Sequence, residues 1–448
     1  MIDRRRPGAD DLDVVVVGAG PNGLAAAVTL ARAGLRVRVY ERDSRAGGGA
    51  ATRELTLPGF QHDVCSAVHP LAFESRFFRD FGLRDRVEFV TPDVSFAQPL
   101  DGGRAGIAYR DLDRAADALG ADGRAYARLL RPLVERATRV ADFTGSSLLR
   151  IPPDPLTAVL FGLRSLEQGT PAWNARFRDD VAPAMLTGVA AHTILAQPSI
   201  AAAGAGLALT TYAHAQGWPI PIGGSQAIAD AMVDDLRRHG GELVLDHEVE
   251  SLSDLPDAWA TLLDVTPRAL LRLTADVVPP GYRRALQRFR YGDGVAKVDF
   301  ALSEPVPWTN PELHRAGTLH VGGTRAEMAD AENQVHRGRL PEHPYVLVSQ
   351  PTLFYPARGV TAGWARDAAD VAGALSALLG SARAEILLGA GAARTTSQVA
   401  ADTGIAVSTA SHHLTVLRDA GLIASERDGA RMLHLRTPLG EAMVGAVL

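Results

Sequence analysis

The sequence predicts a mixed α/β chain followed by a small domain of helices and one hairpin, and three observations carry that prediction. The first is an apolar run, Val14 to Val17, entering the pattern Gly18-Ala19-Gly20-Pro21-Asn22-Gly23, then an alanine-rich segment and a second strand-like run from Val37 to Glu41. The second is Gly223-Gly224-Ser225 ahead of an apolar-periodic stretch, Ala227 to Leu236, and a strand-like Glu242 to Asp246. The third is C-terminal: Thr395 to Thr403 and Ser408 to Ala420 read as helices, and a hairpin turns at Asp428-Gly429.

The first element reads as a dinucleotide site of the α/β class, and a second glycine turn makes the module a Rossmann-like FAD-binding one. Gly18 allows the tight turn, Gly20 lets the backbone approach a pyrophosphate, and Gly23 lets the helix pack closely on the strand. With Pro21 and Asn22 they open a helix whose free N–H groups and positive end face the phosphates. Glu41, at the end of the second strand, then accepts hydrogen bonds from the adenosine ribose. The run Glu41-Arg42-Asp43-Ser44-Arg45-Ala46-Gly47-Gly48 adds a second glycine turn shortly after the acid. A nicotinamide enzyme has no need of it, whereas a flavoprotein uses such a turn, with Arg42 and Arg45, around the FAD diphosphate.

Through these residues the chain resembles the FAD-dependent phytoene desaturase and amine oxidase superfamily, specifically its phytoene-dehydrogenase-like branch. The resemblance continues in Leu57-Pro58-Gly59-Phe60, in Gly217-Trp218-Pro219, in Leu263-Asp264-Val265-Thr266-Pro267 and in Tyr291-Gly292-Asp293-Gly294, covering about residues 10–355. It implies an FAD-binding domain from 1–70 and 217–300, and an α+β substrate domain from 71–216 and 301–355 that takes a hydrophobic small molecule. It also implies that the backbone near Val249 borders the adenine. Lys297, the only lysine of the chain, stands in an alternating segment from Ala296 to Ala301. There it looks like the amine-oxidase strand lysine that holds a water near the flavin, which makes it the catalytic candidate; a solvated strand-end lysine is the equal alternative.

Composition narrows the class. The single Cys65 excludes an intrachain disulfide and a cysteine metal cluster, and it is expected to be buried. Met1 to Asp10 carries Arg4-Arg5-Arg6 but no apolar h-region, so a cytoplasmic protein is expected. Val181 to Leu209 is weakly polar but is interrupted by His192, Gln197 and Pro198, which favours a buried helical pair over a transmembrane segment. The net charge of −5 argues against a general cationic coat for nucleic acid, leaving a local DNA-binding face.

Around Pro351 to Arg358 the flavoprotein pattern stops, before the segment with which that family closes over the flavin ring. After a linker, 356–374, residues 375–448 read as helix-turn-helix plus wing, and about 375–445 resemble the ArsR-type winged-helix regulators. Ser408, Thr409, Ser411, His412 and His413 lie on the exposed start of the third helix, facing the major groove. Arg427 and Arg431 on the wing face phosphates or the minor groove of duplex DNA. Leu414, Val416 and Leu417 face the core. His412 and His413 are adjacent on a helix and diverge, so no metal site is expected. Two functions stand side by side. One is an FAD-dependent oxidoreductase fused to a DNA-binding winged helix. The other is an ArsR-type regulator, binding operator DNA as a homodimer, whose truncated flavoprotein module is a sensor or inactive. A chain formed by joining two genes near residue 352 is the third reading.

Overall fold

The computed structural model describes residues 12–147, 151–274, 277–359, 375–376, 379–429 and 431–447, grouped in two compact units. Of the described residues, those within 1–53, 61–297 and 307–358 form the first unit, and those within 54–60, 298–306 and 359–448 form the second. The Arg4-Arg5-Arg6 cluster and the linker positions from 360 to 374 lie outside the described residues.

In the first unit, β1 (Leu12–Val17), α1 (Pro21–Arg32) and β2 (Val37–Tyr40) form the expected βαβ turn. The sheet has four parallel strands in the order 258–263, β1, β2, 242–244. Parallel sheets survive with both faces covered, and β1 shows how the valine run achieves this. Val14 and Val16 pack with Leu24, Ala27 and Val28 of α1, while Val15 and Val17 pack with Tyr40, Val249 and Leu273 on the other face. The buried residues Leu24, Ala27, Val28 and Ala31 recur at i, i+3, i+4 and i+7, the stripe an amphipathic helix needs. The helix Gln226–Arg238 covers the same face, and its buried Asp235 pairs with Arg32 at 2.7 Å and Arg86 at 3.0 Å. Hydrogen bonding from Arg32 holds that carboxyl below its usual range.

A second sheet runs in the order 346–348, 319–321, 94–99, 105–109, and helices between Leu112 and Ala215 pack around it. Val181–Ala190 and Ile200–Ala215 form the expected helical pair. A Cβ on Gly206 would lie 2.9 Å from the Cβ of Ala190, so small residues let these two helices touch. Ser199 caps the second helix by accepting from the amide of Ala202 at 3.3 Å. Among the described residues no helix is long and apolar enough to cross a membrane.

Three local expectations are corrected. The strand ends at Val244, and Asp246 adopts a positive φ of 52°. Residues 296–301 form no strand, because alternation supplies two faces but no neighbouring strand pairs with them. Cys65 is exposed rather than buried.

In the second unit, helices Ser381–Gly389, Thr396–Thr403 and Val407–Asp419 precede the hairpin Ile423–Asp428 and Arg431–Arg436. The short strand Arg394–Thr395 adds to the hairpin's second strand, and a final helix, Pro438–Val447, was not foreseen. Thr395 and Gln398 make a capping box that starts the second helix, and Gly404, at φ 67°, ends it. Leu387, Val399, Ala410, Leu414, Leu417 and Ile423 form the core, as two of the three expected residues require; Val416 is half-buried.

Candidate nucleotide cradle and DNA-facing helix

The three glycines of the first turn are sterically required to different degrees. A Cβ on Gly18, whose φ is 102°, would lie 2.4 Å from the carbonyl oxygen of Asp264, and one on Gly23 would lie 2.1 Å from the carbonyl oxygen of Gly18. Gly20 has more room: its Cβ would meet only the Asp264 carboxylate, at 3.3 Å, and its backbone is extended (φ −69°, ψ 174°). Packing alone therefore does not require glycine at position 20 as it does at 18 and 23. The second glycine turn lies against the first. Gly47 donates its N–H to the carbonyl of Ala19 at 2.8 Å, and a Cβ on Gly48 would come 3.1 Å from Cα of Gly20. Gly47 and Gly48 both have positive φ, 128° and 54°, which is why glycine stands there.

Glu41 follows β2 and is fixed from three sides. Its carboxylate accepts from the amide of Ala19 at 2.8 Å and from that of Asp43 at 3.0 Å, while its own N–H donates to Val244 at 2.9 Å. These bonds turn the half-buried carboxylate toward the glycine turn, where a ribose beside a bound diphosphate would meet it. Pro21, Asn22, Arg42 and Arg45 are exposed around the rim. Val249 is buried against Val15, Val17 and Tyr40. Lys297 is exposed on a segment without regular structure, so the strand that would have aimed it is not formed.

Asp264 has a role that its sequence motif does not suggest. Strand 258–263 pairs with β1, which brings Asp264 to the start of α1, and its carboxylate accepts from the amide of Gly23 at 2.8 Å. A carboxylate is favourable at a helix N-terminus for the reason a phosphate is, so Asp264 takes one of the donors at the positive end of α1. A second unforeseen group is Arg358, from the segment where the flavoprotein pattern stops. It is buried and pairs with the equally buried Asp63 at 2.5 Å. Asp63 also accepts from Thr52 at 2.6 Å and from the amide of Ser225 at 2.8 Å, and the Ser225 hydroxyl lies 2.7 Å from Nε2 of His69. This network ties the Gly223-Gly224-Ser225 turn to residues 52–69, and a Cβ on Gly224 would collide with Thr52 at 2.2 Å. No local pattern announces a pairing across 295 residues.

On the second unit, Ser408, Thr409, Ser411 and His412 are exposed on one side of Val407–Asp419, while Ala410, Leu414 and Leu417 are buried on the other. His413 is half-buried; burial first, then the Arg383 charge, lowers its pKa. Arg427 and Arg431 are exposed near the wing tip. The register pairs Arg427 with Met432 and Arg431 with Asp428, so the two arginines leave opposite faces of the ribbon. The buried His434 joins this domain together: its ring nitrogens lie 3.0 Å from the Thr396 hydroxyl and 2.9 Å from the Ser425 hydroxyl.

Residues 16–81 match the NAD(P)-binding Rossmann-like domain family, and residues 385–425 match the arsR family of bacterial regulatory proteins. An uncharacterized protein of Mycobacterium tuberculosis is 27% identical over 385 residues, covering 74% of this chain and 68% of its own length. The pyridine nucleotide-disulfide oxidoreductase domain-containing protein 2 of Rattus norvegicus is 25% identical over 255 residues, 56% of this chain and 43% of that protein. A solved putrescine oxidase variant has 20% identity and a TM-score of 0.39, over 62% of this chain and 63% of its own. The chain carries a Rossmann-like NAD(P)-binding domain and an ArsR-type helix-turn-helix.

Proposed function

We propose that this chain, joining a Rossmann-like domain to an ArsR-type helix-turn-helix, is an FAD-dependent oxidoreductase of the phytoene-dehydrogenase-like type fused to a cytoplasmic DNA-binding domain. The observation that carries the cofactor is the contact between the two glycine turns beside the anchored Glu41. The room at Gly20 suits a diphosphate, and the second turn is the feature that favours FAD over a nicotinamide. Gly18, Gly20, Gly23, Gly47 and Gly48 would admit the diphosphate, with Arg42 and Arg45 on the rim and Glu41 holding the ribose. Val249 would border the adenine. FAD, when bound, accepts a hydride from a hydrophobic substrate. Lys297 would hold a water near a reacting atom from a segment without regular structure.

A second reading, a regulator whose Rossmann-like module binds nucleotide without turnover, is favoured by two observations. Arg358 is buried where the flavoprotein pattern ends, and the segment of Lys297 forms no strand. The visible spectrum of the purified full-length chain separates the readings. On the proposed reading FAD accompanies the chain, below one per chain and with slow turnover because the pattern that closes over the flavin ring is absent and a loosely held flavin is poorly oriented for hydride transfer. A colourless chain, or bound flavin that an added carotenoid precursor does not bleach, would favour the regulator instead.

The DNA-binding part makes its own prediction. Full-length protein should bind duplex DNA as a homodimer, with affinity falling as salt rises. Arg431 sits opposite Asp428 in the ribbon, whereas Arg427 faces Met432, so Arg427→Ala should weaken binding to all sequences more than Arg431→Ala does. Removing one arginine–phosphate interaction should lower the salt slope by roughly 1, and Ser411→Ala or His412→Ala should change sequence preference instead. Equal losses for both wing variants in a fluorescence-anisotropy titration would contradict this assignment.

A further inference from the structure

Arg325 opens the helix Arg325–His336 and is 4% exposed. Among the described residues it has no carboxylate partner. Its Nε donates to the carbonyl of Pro183 at 3.1 Å and the hydroxyl of Thr187 at 2.8 Å. One terminal nitrogen donates to the carbonyl of Trp173 at 2.7 Å and to Asn174 at 3.2 Å; the other donates to Gln168 at 3.2 Å. A guanidinium carries five N–H groups, so one on the second terminal nitrogen is left over. The charge is also badly placed for the helix it starts, since cations are unfavourable at a helix N-terminus. Burial lowers its pKa to about 9.

Beside it is a cavity of about 20 Å³, lined by Arg325, Gln197, Thr187, Gln168, Leu186 and Leu207. Gln197 is 4% exposed, and its Nε2 has no hydrogen-bond partner. The residue is held in place by Asn333, which bonds its backbone N–H at 3.0 Å and its carbonyl at 2.7 Å. One buried donor without a partner, Nε2 of Gln197, thus borders a small cavity together with a buried cation that stacks over the Trp173 ring at 4.6 Å but has no carboxylate partner among the described residues. The space holds about one water or one monatomic ion. A water would accept from the donors but leave the charge unbalanced, whereas an anion satisfies both and removes the cost of an unpaired buried charge.

We propose that this cavity is a binding site for a monovalent anion of halide size, held by Arg325 and the side-chain amide of Gln197. The site is independent of the nucleotide cradle and of the DNA-facing helix. It seats the helix Arg325–His336 on the segments carrying Trp173, Pro183 and Gln197.

Bromide tests the proposal on the full-length chain. Crystals soaked in sodium bromide should show one anomalous bromine peak in this cavity. At constant ionic strength, exchanging gluconate for chloride or bromide should raise the melting temperature, and acetate should not replace the halide. Gln197→Glu places a carboxylate beside Arg325, so that variant should fold and its melting temperature should no longer respond to halide. A cavity holding water without anomalous signal would overturn the proposal. So would a halide response that persists in Gln197→Glu, or acetate stabilising as well as bromide, which would make the occupant the carboxylate of a larger ligand.

Discussion

Gly20→Val is expected to abolish binding of FAD and of ADP while leaving the chain folded. The backbone at Gly20 is extended, a conformation valine adopts without strain, and a Cβ there meets only the Asp264 carboxylate at 3.3 Å. The branched side chain would project beside the Asp264 carboxylate at the start of α1, where the diphosphate is proposed to lie. Affinity for ADP measured by calorimetry should fall roughly 100-fold or more, about 2.7 kcal/mol. Gly23→Ala is the contrast. Its Cβ would lie 2.1 Å from the carbonyl oxygen of Gly18, so α1 must move off β1, and the melting temperature should fall along with binding. Asp264→Asn removes a negative charge beside the same helix end and should bind ADP at least as tightly as wild type. Unchanged ADP affinity in folded Gly20→Val would show that this turn does not hold a nucleotide.

The two glycine turns were legible because each rests on residues adjacent in sequence: strand, turn, helix and acid follow one another at fixed offsets. The helix-turn-helix was legible for the same reason, with the capping pair Thr395 and Gln398 and the stop at Gly404 marking its second helix. What escaped was long-range. Asp264 reaches α1 only because its strand pairs with β1, and Arg358 reaches Asp63 from a segment read as a change of pattern. The alternation around Lys297 resembled a strand, but alternation describes side-chain faces and cannot supply a hydrogen-bonded neighbour. Cys65 was expected inside because a lone cysteine usually behaves as a small hydrophobe. Here its sulfur lies beside Gly49, 3.1 Å from where that residue's Cβ would be, and is exposed. The wing arginines were placed by the hairpin that turns at Asp428-Gly429, whereas their opposite directions follow from its register alone.

Acid should unfold the first unit well before its ion pairs are lost, because its interior holds histidines neutral. His214 is buried between two hydrogen-bonding groups: Nδ1 lies 2.8 Å from the carbonyl of Tyr109, and Nε2 lies 2.9 Å from the hydroxyl of Tyr126. Burial lowers its pKa to about 4, and burial does the same to His69 and His192. His320 is likewise pushed well down, first by burial and then by His192, whose Nε2 is 2.9 Å from its own. Each of these groups has a folded-state pKa below its unfolded value near 6.5. Their stabilisation is therefore complete above about pH 6.5 and is lost as pH falls toward 4, where the unfolded chain binds protons that the native state refuses. Two carboxyls act in the opposite direction: burial raises Glu332 to about 7 and also raises Glu74. Four histidines outweigh them, so the urea midpoint followed by tryptophan fluorescence should fall between pH 7 and pH 4.5. His214→Gln keeps a donor and an acceptor but cannot take up a proton, and should reduce the total loss on acidification by on the order of 3 kcal/mol. A midpoint that stays constant across this range, or falls equally in wild type and His214→Gln, would show that the buried histidines do not set the acid limit of the fold.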